Sequence, residues 1–388
     1  MADGSVAVPI TRRSLLGLLG VGAAAAAAGP AFADAAFPSV LSPSTRPAGD
    51  MLRLHRNENA YGASTRAMLA LMDALAGMVQ RFPDVESEAL RRTLASLHGV
   101  ESDRIVVGGG STDLLRMAAS ALLGPGTNLV TALPTFDAPS RLAEQRGATV
   151  TAVPLTEQHA HDLDRMLAAV GASTRLVYIC NPNNPTGTLT RRHDLERFLR
   201  ALRPDVSVVI DEAYHHYVDP TSEYASFIDR PIDDPRIIVT RSFSKLFGLA
   251  GARVGYAFAA PSTARLLAAG AIPDGVNALA ARAAALSIDD ADHVAWTVQR
   301  TANERQEFFN QANARMLRTI DSQANFVMLN TTRPGAEIVE HFRANRVLVA
   351  GPYPRYETYI RVSLGTTAEI GEFWRVWDLL PSHHTSRT

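Results

Sequence analysis

The chain has 388 residues, 46% hydrophobic and 20% charged, with 38 basic against 39 acidic residues and a formal net charge of −1. This is the composition of a folded globular protein of two or three units; it excludes collagen-like, disordered and disulfide-scaffold chains and offers no basic field for nucleic acid. A single cysteine, Cys180, rules out an internal disulfide and any multi-cysteine metal cluster.

In chain order, residues 1–33 predict an export signal. Arg12-Arg13 precedes an apolar, Ala- and Gly-rich stretch from Ser14 to Ala28, and Ala31-Phe32-Ala33 offers a small-x-small cleavage site. The apolar run is too short and too weak to span a bilayer. The expected product starts at Asp34, is exported to the periplasm or beyond by the twin-arginine machinery, and has no membrane contact once processed. Residues 34–60 read as an irregular arm that joins a small C-terminal domain.

Residues 61–285 read as a large domain. A helical pattern from Thr65 is followed by short β-branched runs alternating with helices. Strands are predicted at 105–107, 129–131, 149–153, 176–180, 206–211, 237–240 and 255–258, with helices such as 113–123 and 192–202 between them. Several runs are continuously apolar, as expected of a mostly parallel, seven-stranded α/β sheet with helices on both faces. Residues 286–388 predict a smaller α+β domain: a long helix at 291–318, strands at 325–329, 347–349 and 359–362, and helices between and after them.

Four segments carry chemistry, each at a strand end or a helix start. Gly108-Gly109-Gly110-Ser111-Thr112 opens a helix, where glycines admit an anion and free N–H groups face it. Asn181-Pro182-Asn183-Asn184-Pro185-Thr186-Gly187 follows a strand and equally suits a rigid turn. Asp211-Glu212-Ala213-Tyr214 ends a strand, at the edge where open α/β sheets bind ligands. The fourth, 242–256, holds Ser242, Ser244, Lys245 and Arg253.

Lys245 is the only lysine among the 38 basic residues. Two readings stand: a position that needs a primary amine, which arginine cannot supply, or one surface lysine left by a coding bias. An amine, a strand-end acid and an anion-binding helix start together meet the protein-side needs of pyridoxal phosphate.

On these motifs, in this order, the chain from about Leu54 to its last helix resembles the fold-type I, class I/II aminotransferases. Within them it is most similar to histidinol-phosphate aminotransferases. The resemblance implies a homodimer that uses pyridoxal 5'-phosphate and moves an amino group between an L-amino acid and a 2-oxo acid. It implies a Schiff base on Lys245, Asp211 against the pyridine nitrogen, and Tyr214 and Asn184 on the ring's phenolic oxygen. It further implies Phe136 stacked on the ring, and Gly110, Ser111, Thr112, Ser242 and Arg253 around the phosphate, with Ser244 a weaker candidate. Arg361 would grip the substrate carboxylate; Asn57-Glu58-Asn59, with Tyr61 and Gly62, would form the N-terminal lid and substrate segment, with Asn59, Tyr61 and Asn184 binding substrate.

Two departures concern substrate and dimer. Ala350-Gly351 stands where such enzymes have an arginine for the substrate phosphate, which argues against histidinol phosphate unless Arg355 substitutes. Phe82, in Arg81-Phe82-Pro83-Asp84, stands where they have a tyrosine that donates to the cofactor phosphate across the dimer. The alternative activities are pyridoxal-phosphate-dependent decarboxylation, cyclisation or elimination; a non-catalytic solute-binding protein is a third reading. The pairs His215-His216 and His383-His384 lack metal-ligand spacing, so no metal is expected.

Overall fold

The computed structural model describes residues 51–219 and 223–381. The predicted export signal, the arm up to Asp50 and the His383-His384 pair lie outside the described residues. Among those described, the strands are β1 (Leu52–Leu54), β2 (Ile105–Gly108), β3 (Asn128–Leu133), β4 (Thr149–Pro154), β5 (Thr174–Cys180), β6 (Ser207–Asp211), β7 (Ile237–Ser242), β8 (Gly255–Ala259), β9 (Arg318–Thr319), β10 (Phe326–Asn330), β11 (Val347–Val349) and β12 (Tyr359–Ser363).

The main sheet has seven strands in the order β2-β8-β7-β6-β5-β3-β4. Its β-branched runs exist because both faces are covered. Val130, Val177, Ile179, Val208 and Ile210 pack into one core, with Leu195 and Phe198 of the helix Arg192–Ala201. Leu129, Leu176, Tyr178, Cys180 and Val209 pack into the other, with Leu114 and Met117 of the helix Ser111–Leu122. Successive side chains alternate between the two, as the pleat requires, and each fully buried Val, Ile or Leu contributes about 1.5–3 kcal/mol.

Strand direction positions the site. Strands β3, β4, β5, β6 and β7 are mutually parallel, whereas β8 runs antiparallel to both β7 and β2. The other six strands therefore end at one edge of the sheet, and β8 starts there. The residues just after β2, β3, β5, β6 and β7, and those just before β8, meet along that line.

A second core gathers Phe308, Phe342, Phe373 and Trp374 against β1, β10, β11 and β12. Phe342 and Phe373 stack with centroids 4.7 Å apart. Strand β10 pairs antiparallel with β9 and β12, and β1 pairs in parallel with β11, Leu52 opposite Val347. Part of the expected irregular arm is thus a strand. The helix expected over 291–318 ends at Ala314, because Met316 takes a left-handed turn (φ +56°) and Arg318 enters β9. No described helix is long and apolar enough to cross a membrane.

Candidate active site

One cavity of about 1020 Å³ opens at the edge where the parallel strands end. Its lining includes Lys245, Asp211, Tyr214, Asn184, Phe136, Ser111, Thr112, Ser242, Arg253 and Arg361. These come from six loops and strand ends spread over 250 positions of sequence, and the direction of the strands brings them together.

The anion end is built first. Gly110 caps the helix Ser111–Leu122 with φ +88°, a conformation that favours glycine. A Cβ at Gly110 would lie 2.3 Å from Nη2 of Arg253, so the glycine is also needed for the guanidinium to approach. Arg253 is oriented by the Ala250 carbonyl at 3.0 Å and the Ser244 hydroxyl at 3.3 Å. The helix start, the Ser111, Thr112 and Ser242 side chains and this cation form a cup suited to a phosphate.

Asp211 ends β6, fully buried. Burial pushes its carboxyl pKa up; hydrogen bonds from the Tyr178 hydroxyl to Oδ2 (2.9 Å) and from the Ala213 N–H to Oδ1 (3.2 Å) act the other way. Lys245 follows β7. Burial, aided by the Arg361 and Arg253 charges, lowers its ammonium pKa to about 7 against the opposing pull of Glu58 and Asp211. Its Nζ donates to the Arg56 and Asn57 carbonyls at 3.0 and 3.1 Å.

Tyr214 is buried, with its ring edge on Phe326 and the Lys245 Nζ 5.5 Å from its ring centroid. Arg361, on β12, donates to the Asn184 side-chain oxygen and, at 2.7 Å, to the His55 carbonyl. Its Nε is buried with no partner.

Asn59 and Tyr61 do not line this cavity. The Asn59 amide donates to the Leu246 carbonyl (2.6 Å), while Tyr61 donates to Glu304 (3.2 Å) and sets its ring against Trp296. Both hold the segment after β1 in place, and Arg355 is likewise not a lining residue. Sequence reading missed Tyr178, whose hydroxyl lies in an otherwise apolar strand; a buried hydroxyl needs a partner, and that was the available signal. It also missed His55 and Tyr353 on the cavity wall, which no motif marks. Among the described residues no group of three or more His, Cys, Asp and Glu could hold a metal ion.

The sequence profile of the family "Aminotransferase class I and II" matches residues 49–376. The chain belongs to this family. A histidinol-phosphate aminotransferase of Nitrosococcus oceani is 37% identical over 331 residues, covering 84% of this chain and 87% of that protein. One of Carboxydothermus hydrogenoformans is 36% identical over 323 residues, 83% of this chain and 88% of its own. Among solved structures, the histidinol-phosphate aminotransferase of Sinorhizobium meliloti in complex with pyridoxal-5'-phosphate superposes with a TM-score of 0.80 at 28% identity, covering 85% of this chain and 92% of that one.

The protein is a pyridoxal-phosphate-dependent aminotransferase of fold type I. The aminotransferase cavity fits that cofactor on its own geometry: a glycine that leaves room only for Arg253, a buried carboxylate at one strand end and an amine of lowered pKa at the next.

Proposed function

We propose that this aminotransferase moves an amino group between an L-amino acid and a 2-oxo acid, with Lys245 as the amine that holds the cofactor and carries the substrate's Cα proton. The observation behind this reading is a single cavity lined by the chain's one lysine, by Asp211 and by the helix start at Ser111 and Thr112. Bound there, pyridoxal phosphate supplies a carbonyl for exchange between amines and a ring that accepts the electrons of a breaking Cα bond.

The chain's own residues do the rest. Ser111, Thr112, Ser242 and Arg253 hold the phosphate. Asp211, ionised, would hold the ring nitrogen, and Phe136, on the cavity wall, would pack against the ring. An amine with a pKa of about 7 is partly unprotonated at neutrality, so Lys245 can both take and return a proton. Arg361 receives the carboxylate through its planar fork.

Position 350 supports an amino acid rather than a phosphate ester as donor. Ala350 and Arg361 exchange both backbone hydrogen bonds, 3.0 and 2.7 Å. Residues paired in this way stand opposite each other with side chains on one face. The Ala350 methyl therefore lies opposite Arg361 on the same face, at the position where the resemblance leads us to expect a second arginine. Position 350 supplies no cation to a substrate phosphate; the other arginines on the cavity wall besides Arg253 and Arg361 are Arg53 and Arg56. A panel of amino donors, assayed for both 2-oxo acid and carbon dioxide, tests this. Efficient turnover of histidinol phosphate would refute the donor assignment, and carbon dioxide release without amino transfer would refute the reaction.

The working form is a homodimer. Its support is a run of exposed apolar side chains, Leu69, Met72, Leu75, Val79, Phe82 and Val85, with Phe82 79% exposed. The enzyme is exported: Arg12-Arg13 and Ala31-Phe32-Ala33 support passage by the twin-arginine machinery with cleavage before Asp34. N-terminal sequencing of protein from outside the cytoplasm checks that cleavage; an intact Met1 terminus would refute it.

A further inference from the structure

Tyr214 carries one hydrogen, and its neighbours decide where that hydrogen points. The Asn57 Nδ2 donates to the Tyr214 oxygen at 3.0 Å, and the Asn184 Nδ2 makes a longer contact at 3.5 Å. Both orientations follow from other partners. The Asn184 side-chain oxygen faces Arg361 Nη1, which can only donate. Asn57 is tied to Ser363 twice: its backbone N–H donates to Ser363 Oγ at 2.8 Å, and the Ser363 hydroxyl donates to its Oδ1 at 3.1 Å. Turning the Asn57 amide over would set two donors on one hydroxyl oxygen and leave the hydroxyl hydrogen without its acceptor. Asn57 and Ser363 are both fully buried, 1% and 2% exposed, so water cannot substitute.

With amide hydrogens filling its lone pairs, the Tyr214 oxygen has its own hydrogen free, and among the described residues it donates to no protein acceptor. We propose that Asn57 and Ser363 are positioning residues that fix Tyr214 as a hydrogen-bond donor into the cofactor cavity. The inference rests on the reading that pyridoxal phosphate binds in that cavity with its ring oxygen toward Tyr214. It joins three stretches far apart in sequence: the segment after β1, the end of β6 and the end of β12. The backbone fits the role, since Asn57 sits at φ +53°, where asparagine and aspartate are tolerated. The charged and titratable groups around Tyr214 are Lys245, Arg361, Asp211, Cys180 and Tyr217; none competes for the Asn57 amide.

The test is the pH at which the visible absorbance of the cofactor-loaded enzyme changes. A hydrogen bond donated to an anionic ring oxygen favours the deprotonated chromophore, so losing it moves the change to higher pH. In Asn57→Asp the carboxylate accepts from Tyr214 and turns the hydrogen away from the cavity; the expected shift is about one pH unit upward. Ser363→Ala frees the Asn57 amide without adding charge and shifts the change the same way, by about half as much. Each substitution is repeated in a Tyr214→Phe background, where both shifts should shrink to a few tenths of a unit or less. That interaction separates a role through Tyr214 from added charge or loosened structure. If Asn57→Asp does not fold, Ser363→Ala carries the test. Shifts of equal size in both backgrounds, or none in either, would overturn the proposal. Wild-type protein that shows no visible band with pyridoxal phosphate would instead remove the cofactor reading, and the inference with it.

Discussion

Tyr178 donates its hydroxyl hydrogen to Asp211 Oδ2 at 2.9 Å, between neighbouring strands, with both groups almost fully withdrawn from water. The carboxylate is pushed toward its neutral form by burial and held ionised by its donors. Tyr178→Phe removes one donor and keeps the ring. The Asp211 pKa then rises further, so the neutral form appears at higher pH than in the wild type. Cofactor affinity should fall about tenfold near pH 7, with the loss growing as pH falls and narrowing as it rises. Titrating cofactor-free protein with pyridoxal phosphate at pH 6 and pH 9 measures both; equal affinity for variant and wild type at both values would refute the role.

The large sheet was legible because its strands are buried on both faces and read as continuous apolar runs. The strand expected at 237–240 is β7, Ile237–Ser242, and that expected at 176–180 is β5, Thr174–Cys180. The reversed direction of β8 was not legible, since its residues are as apolar as those of a parallel strand. Nor was β1, three residues whose pairing is set by a partner almost 300 positions away. The cavity residues stand out in sequence where a motif compresses them, as at 110–112 and 242–253. Asn57 stands in the segment the resemblance marks, but its contact with Ser363, like that of Tyr178 with Asp211, joins strands and loops that no local spacing encodes.

Lys245 can be titrated on its own, because it is the only lysine. In cofactor-free protein, modification of its side chain by an amine-reactive reagent should be half-maximal near pH 7, and peptide mass spectrometry locates the label. A half-maximal pH near 10.5, the ordinary lysine value, would refute the lowered pKa. The sign for stability follows. Between about pH 7 and 10.5 the unfolded chain binds this proton and the folded chain does not, so the contribution to stability is lost as pH falls through that window. Lys245→Met should therefore stabilise cofactor-free protein at pH 6 and confer little by pH 10.5. Lys245→Ala, loaded with cofactor, should lose the yellow absorbance and turnover together.

Behind the cavity, Glu212 and Arg241 form an ion pair at 3.1 Å with side chains 1% and 4% exposed. Glu212 follows the end of β6 and Arg241 lies in β7, so the pair ties the strand of Asp211 to the strand leading to Lys245. Glu212 also accepts from the Phe227 N–H at 2.8 Å and the Ser226 hydroxyl at 2.5 Å. Glu212→Ala leaves the buried guanidinium with the half-exposed Asp229 carboxylate at 3.4 Å and the Ser226 hydroxyl at 2.6 Å, and should cost about 3 kcal/mol, read as a lowered urea midpoint. Glu212→Gln keeps the shape and part of the hydrogen bonding and should cost less. A midpoint unchanged in Glu212→Ala would show that the pair is not structural.

The apolar side chains Leu69, Met72 and Leu75 recur every third residue along the helix Thr65–Gly77, and Val79, Phe82 and Val85 extend the surface beyond it. A monomer rarely leaves such a patch to water. The enzyme should sediment as a dimer, and Leu75→Asp together with Val79→Asp should yield monomers with unchanged far-ultraviolet circular dichroism. A wild-type monomer at micromolar concentration would refute the dimer. A dimer would also make Phe82 diagnostic. If this residue faces the partner's phosphate cup, Phe82→Tyr adds a donor there and should tighten cofactor binding about tenfold, the worth of one hydrogen bond to a charged group. In the monomeric Leu75→Asp, Val79→Asp background the same change should confer nothing, because no partner cup stands within reach; a gain of equal size there would place the new hydroxyl's effect within its own subunit.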